Sequence, residues 1–185
     1  MLWRILFFFS IVPIIASTLA RWWFAKRVLI SEGIRACTCD PRRWESHLGL
    51  APIGNRASAL EFAVELRKAA LLQWKERDPK AASNRENARR FGKAVPPFSL
   101  LVAVFALIIA KIPVMGAVAI LLASTAISAA LGLLTLGPEL RAIAITSRRL
   151  RDAHLFPRRE DEEAVVKTAV AKAWEESIPP ILRWL

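Results

Sequence analysis

Apolar positions along this chain gather in blocks instead of alternating with polar ones. The first block, ILFFFSIVPIIASTLA (Ile5–Ala20), becomes long enough to cross a bilayer once Leu2 and Trp3 are added. RWWFAKR (Arg21–Arg27) follows at once, an aromatic and cationic stop. This favours an uncleaved anchor over a secretory leader, although Thr18 and Ala20 are small enough for a weak cleavage site. Pro13 is a kink that neighbouring helices tolerate within a membrane.

The second block runs from Val95 to Gly137, and Lys111 is its single charged residue. As one helix it would be roughly 65 Å long, about twice the hydrocarbon thickness, so a hairpin is expected. AKIP (Ala110–Pro113) supplies the turn: Lys111 can snorkel and Pro113 disfavours continuous helix. The predicted spans are then Pro96–Ala110, short enough that a re-entrant segment is the other reading, and Val114–Leu136.

Between and after the blocks the pattern is helical, with clear punctuation. Asp40 is an N-cap with Pro41 at the first helical position. Ser58–Glu61 is a capping box that opens a helix to about Arg77, before Pro79. Ser83–Glu86 repeats the device and predicts a shorter helix toward Gly92. Leu140–His154 continues off the last span, and REDEEAVVKTAVAKAWEES follows with acids in its first turn, where the helix dipole favours them. That helix stops before Pro179 and Pro180, and the closing ILRWL is expected against the membrane or the body. No alternating strand pattern stands out. The expected fold is all-α: an anchor at 2–20, a basic helical segment at 21–94, a membrane hairpin at 95–137 and a helical tail at 138–185.

Composition then sets orientation. A hydrophobic fraction of 55% and a mean hydropathy of +0.35 fit membrane spans. The formal net charge is +11. From Arg21 to Lys93 there are 16 Lys/Arg against 8 Asp/Glu, whereas the turn between the later spans has only Lys111. The positive-inside rule places the central segment in the cytoplasm, with the N-terminus outside and the tail inside. The expected setting is the bacterial inner membrane. Arg42–Arg43, Arg67–Lys68, Arg89–Arg90, Arg148–Arg149 and Arg158–Arg159 suit anionic headgroups of the bilayer. No nucleic-acid partner is expected; a membrane-protein partner or a homo-oligomer is.

Candidate chemistry is sparse. Glu61 and Glu65 are one turn apart, but the capping box uses the first and Lys68 can pair with the second. Cys37 and Cys39, with His47 nearby, are metal-ligand candidates of low rank, because a lone CxC lacks the second pair a zinc site needs. A sensor or enzyme using them with a bound metal is the outlying alternative. His154, near a helix end, reads as a cap or surface residue. There is no GxGxxG, P-loop, GxSxG or HExxH, and no catalytic residue or cofactor is expected. In the last span Ser124, Ser128 and Gly132 recur one turn apart, a spacing that lets helices approach closely, either within this chain or against a partner's helix.

TLGPELRAIAITSRRL (Thr135–Leu150) resembles, in Thr135, Leu136, Pro138, Glu139, Ser147, Arg148 and Arg149, a loosened TLPVEFDASRRAL segment. That segment follows the last apolar stretch of the bacterial membrane-bound neutral zinc metallopeptidases. The order of parts and the alanine-rich helix from Glu160 are also similar to that family. The resemblance implies a helix bearing HExxH, in which two histidines bind zinc and the glutamate is the base. ALEFAVE can be laid on that pattern with Glu61 in the glutamate's place, which puts Leu60 and Val64 where the histidines would stand. The resemblance therefore implies a relative without catalysis, acting through protein binding. An unrelated accessory or structural subunit of a membrane complex is the alternative.

Overall fold

The computed structural model describes residues 2–48, 54–109 and 111–183. The chain is an all-α membrane protein, and three of its helical stretches, Ile5–Ser31, Pro79–Ile108 and Val114–Asp152, are long and apolar enough to cross a bilayer.

The first is α1 (Leu2–Arg21), a π-helical turn (Trp22–Lys26) and α2 (Arg27–Ser31) in one unbroken run. The cationic stop at Arg21–Arg27 therefore does not end the helix. The widened π turn sits where Phe24 stacks on Trp174 of the tail, with ring centroids 4.9 Å apart. After it come β1 (Ala36–Thr38), α3 (Pro41–Leu48), β2 (Arg56–Ser58) and α4 (Ala59–Arg77). The long helix α5 (Pro79–Ile108) and α6 (Val114–Leu134) form the hairpin, and α7 (Leu136–Asp152) and α8 (Arg159–Ser177) complete the body. A 3-10 turn, Pro180–Arg183, ends the described chain.

Several local expectations meet their physical cause. Ser58 Oγ accepts from the Glu61 amide at 3.3 Å, and Glu61 Oε2 accepts from the Ser58 amide at 3.2 Å, completing the capping box. Asp40 Oδ1 accepts from the Arg42 amide at 3.1 Å, with Pro41 opening α3. Lys111–Pro113 interrupt the hairpin as expected, while Ala110 lies outside the described residues, as do Gly49, Trp184 and Leu185.

Three expectations need correction. The chain does contain strand: β1 and β2 pair antiparallel, with Cys37 opposite Ala57. At three residues each they are too short to show an alternation, and they serve α4. The Arg35 carbonyl accepts from the Ala59 amide at 2.8 Å, and the Gly33 carbonyl from the Leu60 amide at 3.0 Å, satisfying donors that a helix start leaves unpaired. Ser83–Glu86 is not a cap either. Asp78 is, accepting from the Ala81 amide at 3.0 Å with Pro79 at the first position, so Ser83 lies inside a helix already under way. That helix then crosses the expected boundary at 94/95 and continues through Pro96 and Pro97. By contrast, α7 does continue off the last span, with Thr135 as the single turn residue between α6 and α7.

The ending of α7 explains His154. Its φ of 48° is left-handed, the Leu155 amide donates to Leu150 O at 3.4 Å, and the His154 amide donates to Arg151 O at 3.1 Å. This is a Schellman stop, with Leu150 and Leu155 both buried against the same core.

Two layers result. In the span bundle α6 is the common neighbour of α1 and α5. It buries Gly116, Ala119, Thr125, Ala126, Ser128, Ala129 and Gly132, while Phe98, Leu101, Phe105 and Ile108 of α5 stay exposed, as lipid-facing residues do. Outside the bundle, α3, α4, α7 and α8 enclose a conventional core. Trp44, Phe62 and Phe156 meet there with centroids 5.3 to 6.2 Å apart, packed with Leu66, Ile143, Leu150 and Val165.

Candidate functional site

The most concentrated chemistry lies where the two layers meet. Glu139, in the first turn of α7, is fully buried. Arg67 from the middle of α4 places its Nε 2.6 Å from Glu139 Oε1, and Arg85 from α5 places its Nε 2.5 Å from Glu139 Oε2. Arg67 Nη1 also reaches Glu176 Oε2, at the end of α8, at 2.8 Å, and Arg89 bonds the same oxygen. Arg85 Nη1 donates to the Gly132 carbonyl at 2.7 Å and to Thr135 Oγ1 at 3.2 Å. The knot thus joins four helices of the polar layer and hairpin to the last turn of α6.

Helix phase explains how charges came to lie inside. Ala63, Arg67, Ala70 and Trp74 follow one another at core spacing on α4 and all are buried, so Arg67 occupies a core position. Arg85 and Ala88 are likewise buried on α5. Glu139 gains further from the α7 N-terminus, where a carboxylate is favoured. That phase is the signal a sequence reading can use; it also corrects the assignment of Arg67 to a headgroup-facing surface.

Arg67 and Glu176 are held in their charged forms. Burial pushes the Arg67 guanidinium down, but the Glu139 and Glu176 carboxylates outweigh it, and the net shift is upward. Burial pushes Glu176 up, yet Arg67 and Arg89 hold it below its ordinary value. Groups locked in this way fix geometry and are poor proton shuttles.

The other expected residues are scattered. Cys37 and Cys39 are buried thiols; burial pushes Cys37 up to about 11 and Cys39 up to about 12, with Asp161 and Asp40 respectively adding to the effect. Cys37 Sγ donates to the Arg35 carbonyl at 3.7 Å, whereas His47 is on the exposed face of α3. Among the described residues no group of three or more His, Cys, Asp or Glu side chains could hold a metal ion. Zinc of the metallopeptidase kind does not fit the α4 helix: Leu60 and Val64 offer no donor atom, and Glu61 is committed to its cap. Glu65 pairs with Lys68 at 3.5 Å.

The small residues of α6 divide between neighbours. Ser124 Oγ meets Ser99 Oγ of α5 at 2.6 Å, and Ser128 is buried, donating to the Ser124 carbonyl at 2.8 Å. Gly132 backs directly onto the end of α8, where an added Cβ would lie 1.9 Å from the Ser177 carbonyl oxygen. Of the metallopeptidase-like segment, Leu136 and Glu139 enter the interior and Thr135 accepts from Arg85, while Arg148 and Arg149 are exposed, Arg149 donating to Gln73 at 2.9 Å.

Compared with protein-family models, curated proteins and solved structures, the chain matches none.

Proposed function

We propose that this chain is a non-catalytic protein of the bacterial inner membrane, built on a layout resembling the neutral zinc metallopeptidases, that acts by binding another protein. The observation that carries the reading is the surface of α4. Leu60 and Val64, at the positions of the missing histidines, are 37% and 43% exposed, with Leu72 beyond them at 51% and Ile34 beside them at 79%. The Gly33–Leu60 backbone bond holds Ile34 next to this stripe. Apolar side chains clustered on the water-facing layer mark a protein contact more readily than a solvated face.

The test uses the detergent-purified full chain, with bound zinc measured by elemental analysis and peptide hydrolysis measured with and without chelator. The expected result is far less than one zinc per chain and no chelator-sensitive hydrolysis. Near-stoichiometric zinc with hydrolysis would overturn the reading. Orientation follows from loop charge: reporter fusions at Ala82 and at the C-terminus should both report the cytoplasm, and an external signal at either refutes it. The exposed pairs Arg42–Arg43, Arg148–Arg149 and Arg158–Arg159 support contact with anionic headgroups.

An unrelated accessory or structural subunit is the second reading. It draws on Glu139, whose burial in the knot accounts for that part of the Thr135–Leu150 segment by folding alone.

A further inference from the structure

Beside the knot runs a basic groove that its ion pairs leave partly unused. One depression of about 450 Å³ is walled by α4 and α5, with Lys75, Arg85, Arg89 and Arg90 on its lining. A second, of about 370 Å³, is continuous with it through Leu71, Lys75 and Arg89 and extends to Arg67. Arg85 is 2% exposed, and its Nη2 is buried without a hydrogen-bond partner. A guanidinium nitrogen in that state costs stability unless something accepts from it. Lys75 is exposed and makes no ion pair among the described residues, while Arg90 uses its Nε on Glu86 at 3.0 Å. The cations of the two depressions outnumber the carboxylates that face them, Glu86, Glu139 and Glu176.

We infer that this groove binds a phosphate group, with Arg85 at its inner wall and Lys75 and Arg90 at its rim. Guanidinium donors and an exposed ammonium suit a tetrahedral oxyanion, and Leu71 and Trp74 on the same lining suit the carbon attached to it. The depth fits as well. Arg85 Nη1 bonds the Gly132 carbonyl in the last turn of α6, so the guanidinium lies level with the end of a span. The phosphate comes either from a membrane phospholipid headgroup or from a free phosphate compound. The second depression shares Val64 and Leu72 with the apolar stripe of α4, but titration with a small phosphate ligand needs no protein partner, so its failure and that of the protein-binding reading are distinguishable.

The experiment is calorimetric titration of the detergent-solubilised full chain with dihexanoyl phosphatidic acid and, separately, with inorganic phosphate. Saturable binding is expected, weakened about five-fold by Lys75→Ala and by Arg90→Ala, both of which unfold at the wild-type midpoint. Arg85→Lys, which keeps the charge but removes the unpartnered Nη2, should weaken it further. Tight binding of the lipid alone assigns the site to a headgroup, and equal binding of both probes assigns it to free phosphate. Absence of saturable binding for both, or unchanged affinity in Lys75→Ala and Arg90→Ala, overturns the inference.

Discussion

The span bundle and the polar layer are held together by opposite means. In the bundle the interface is backbone brought close by Gly116, Ala119, Ala126 and Ala129, with one hydroxyl pair, Ser99–Ser124, across it. In the polar layer large side chains do the packing, with Trp44, Phe62 and Leu66 almost fully buried. The difference follows from solvent: lipid gives no hydrophobic drive between helices, so close van der Waals contact decides there, whereas water drives the large groups of the other layer inward. At the boundary, where Gly132 packs on Ser177 and α7 begins, close packing is joined by a third device. There the chain uses buried charge.

Removing the charge that belongs to both layers should have the largest effect. Glu139→Ala leaves Arg67 and Arg85 buried without their shared partner, and a loss of about 3–5 kcal/mol in unfolding free energy is expected. A loss within error in a denaturant titration would mean that the layers are not joined there. Next in size is Gly132→Val. Its Cβ would meet the Ser177 carbonyl at 1.9 Å, so α8 must shift, at an expected cost of about 1–3 kcal/mol, read from thermal unfolding.

Acid should loosen the polar layer selectively. Glu176 is held below its ordinary value of 4.5, so its contribution is present above that pH and is lost as pH falls through the lower folded-state value. Wild type should therefore lose stability in acid more steeply than Glu176→Gln; parallel profiles would contradict the assignment. Ser124→Ala, inside the bundle, should cost only about 0.6 kcal/mol, the scale of a hydrogen bond between spans. The thiols sharpen the contrast at no cost in stability. With Cys37 pushed up to about 11 and Cys39 to about 12, and both buried, neither should react with iodoacetamide at pH 7 until the chain is unfolded.

Much of this architecture is legible along the chain because its causes are local. Apolar runs mark the three spans, Ser58 and Glu61 announce the start of α4, and Lys111–Pro113 break the hairpin. The misses share a different cause. Ser83–Glu86 has the spacing of a cap, but Asp78 and Pro79 act first, and a helix can start only once. The β1–β2 ribbon joins residues some twenty apart through backbone bonds that leave no side-chain pattern. The knot is the least legible feature, since Arg67, Arg85, Glu139 and Glu176 are brought together by tertiary packing. Only the core phase of Arg67 on α4 hints at it.

Glu139 binds the polar layer to the span bundle through Arg85. A double-mutant cycle with Arg85→Met and Glu139→Gln measures that link directly, from denaturant unfolding of the full chain in detergent. A coupling energy of about 2–3 kcal/mol is expected, with the double variant recovering much of what either single change loses. Additive losses, with coupling near zero, would show that the two residues act separately and that the layers are held by packing alone.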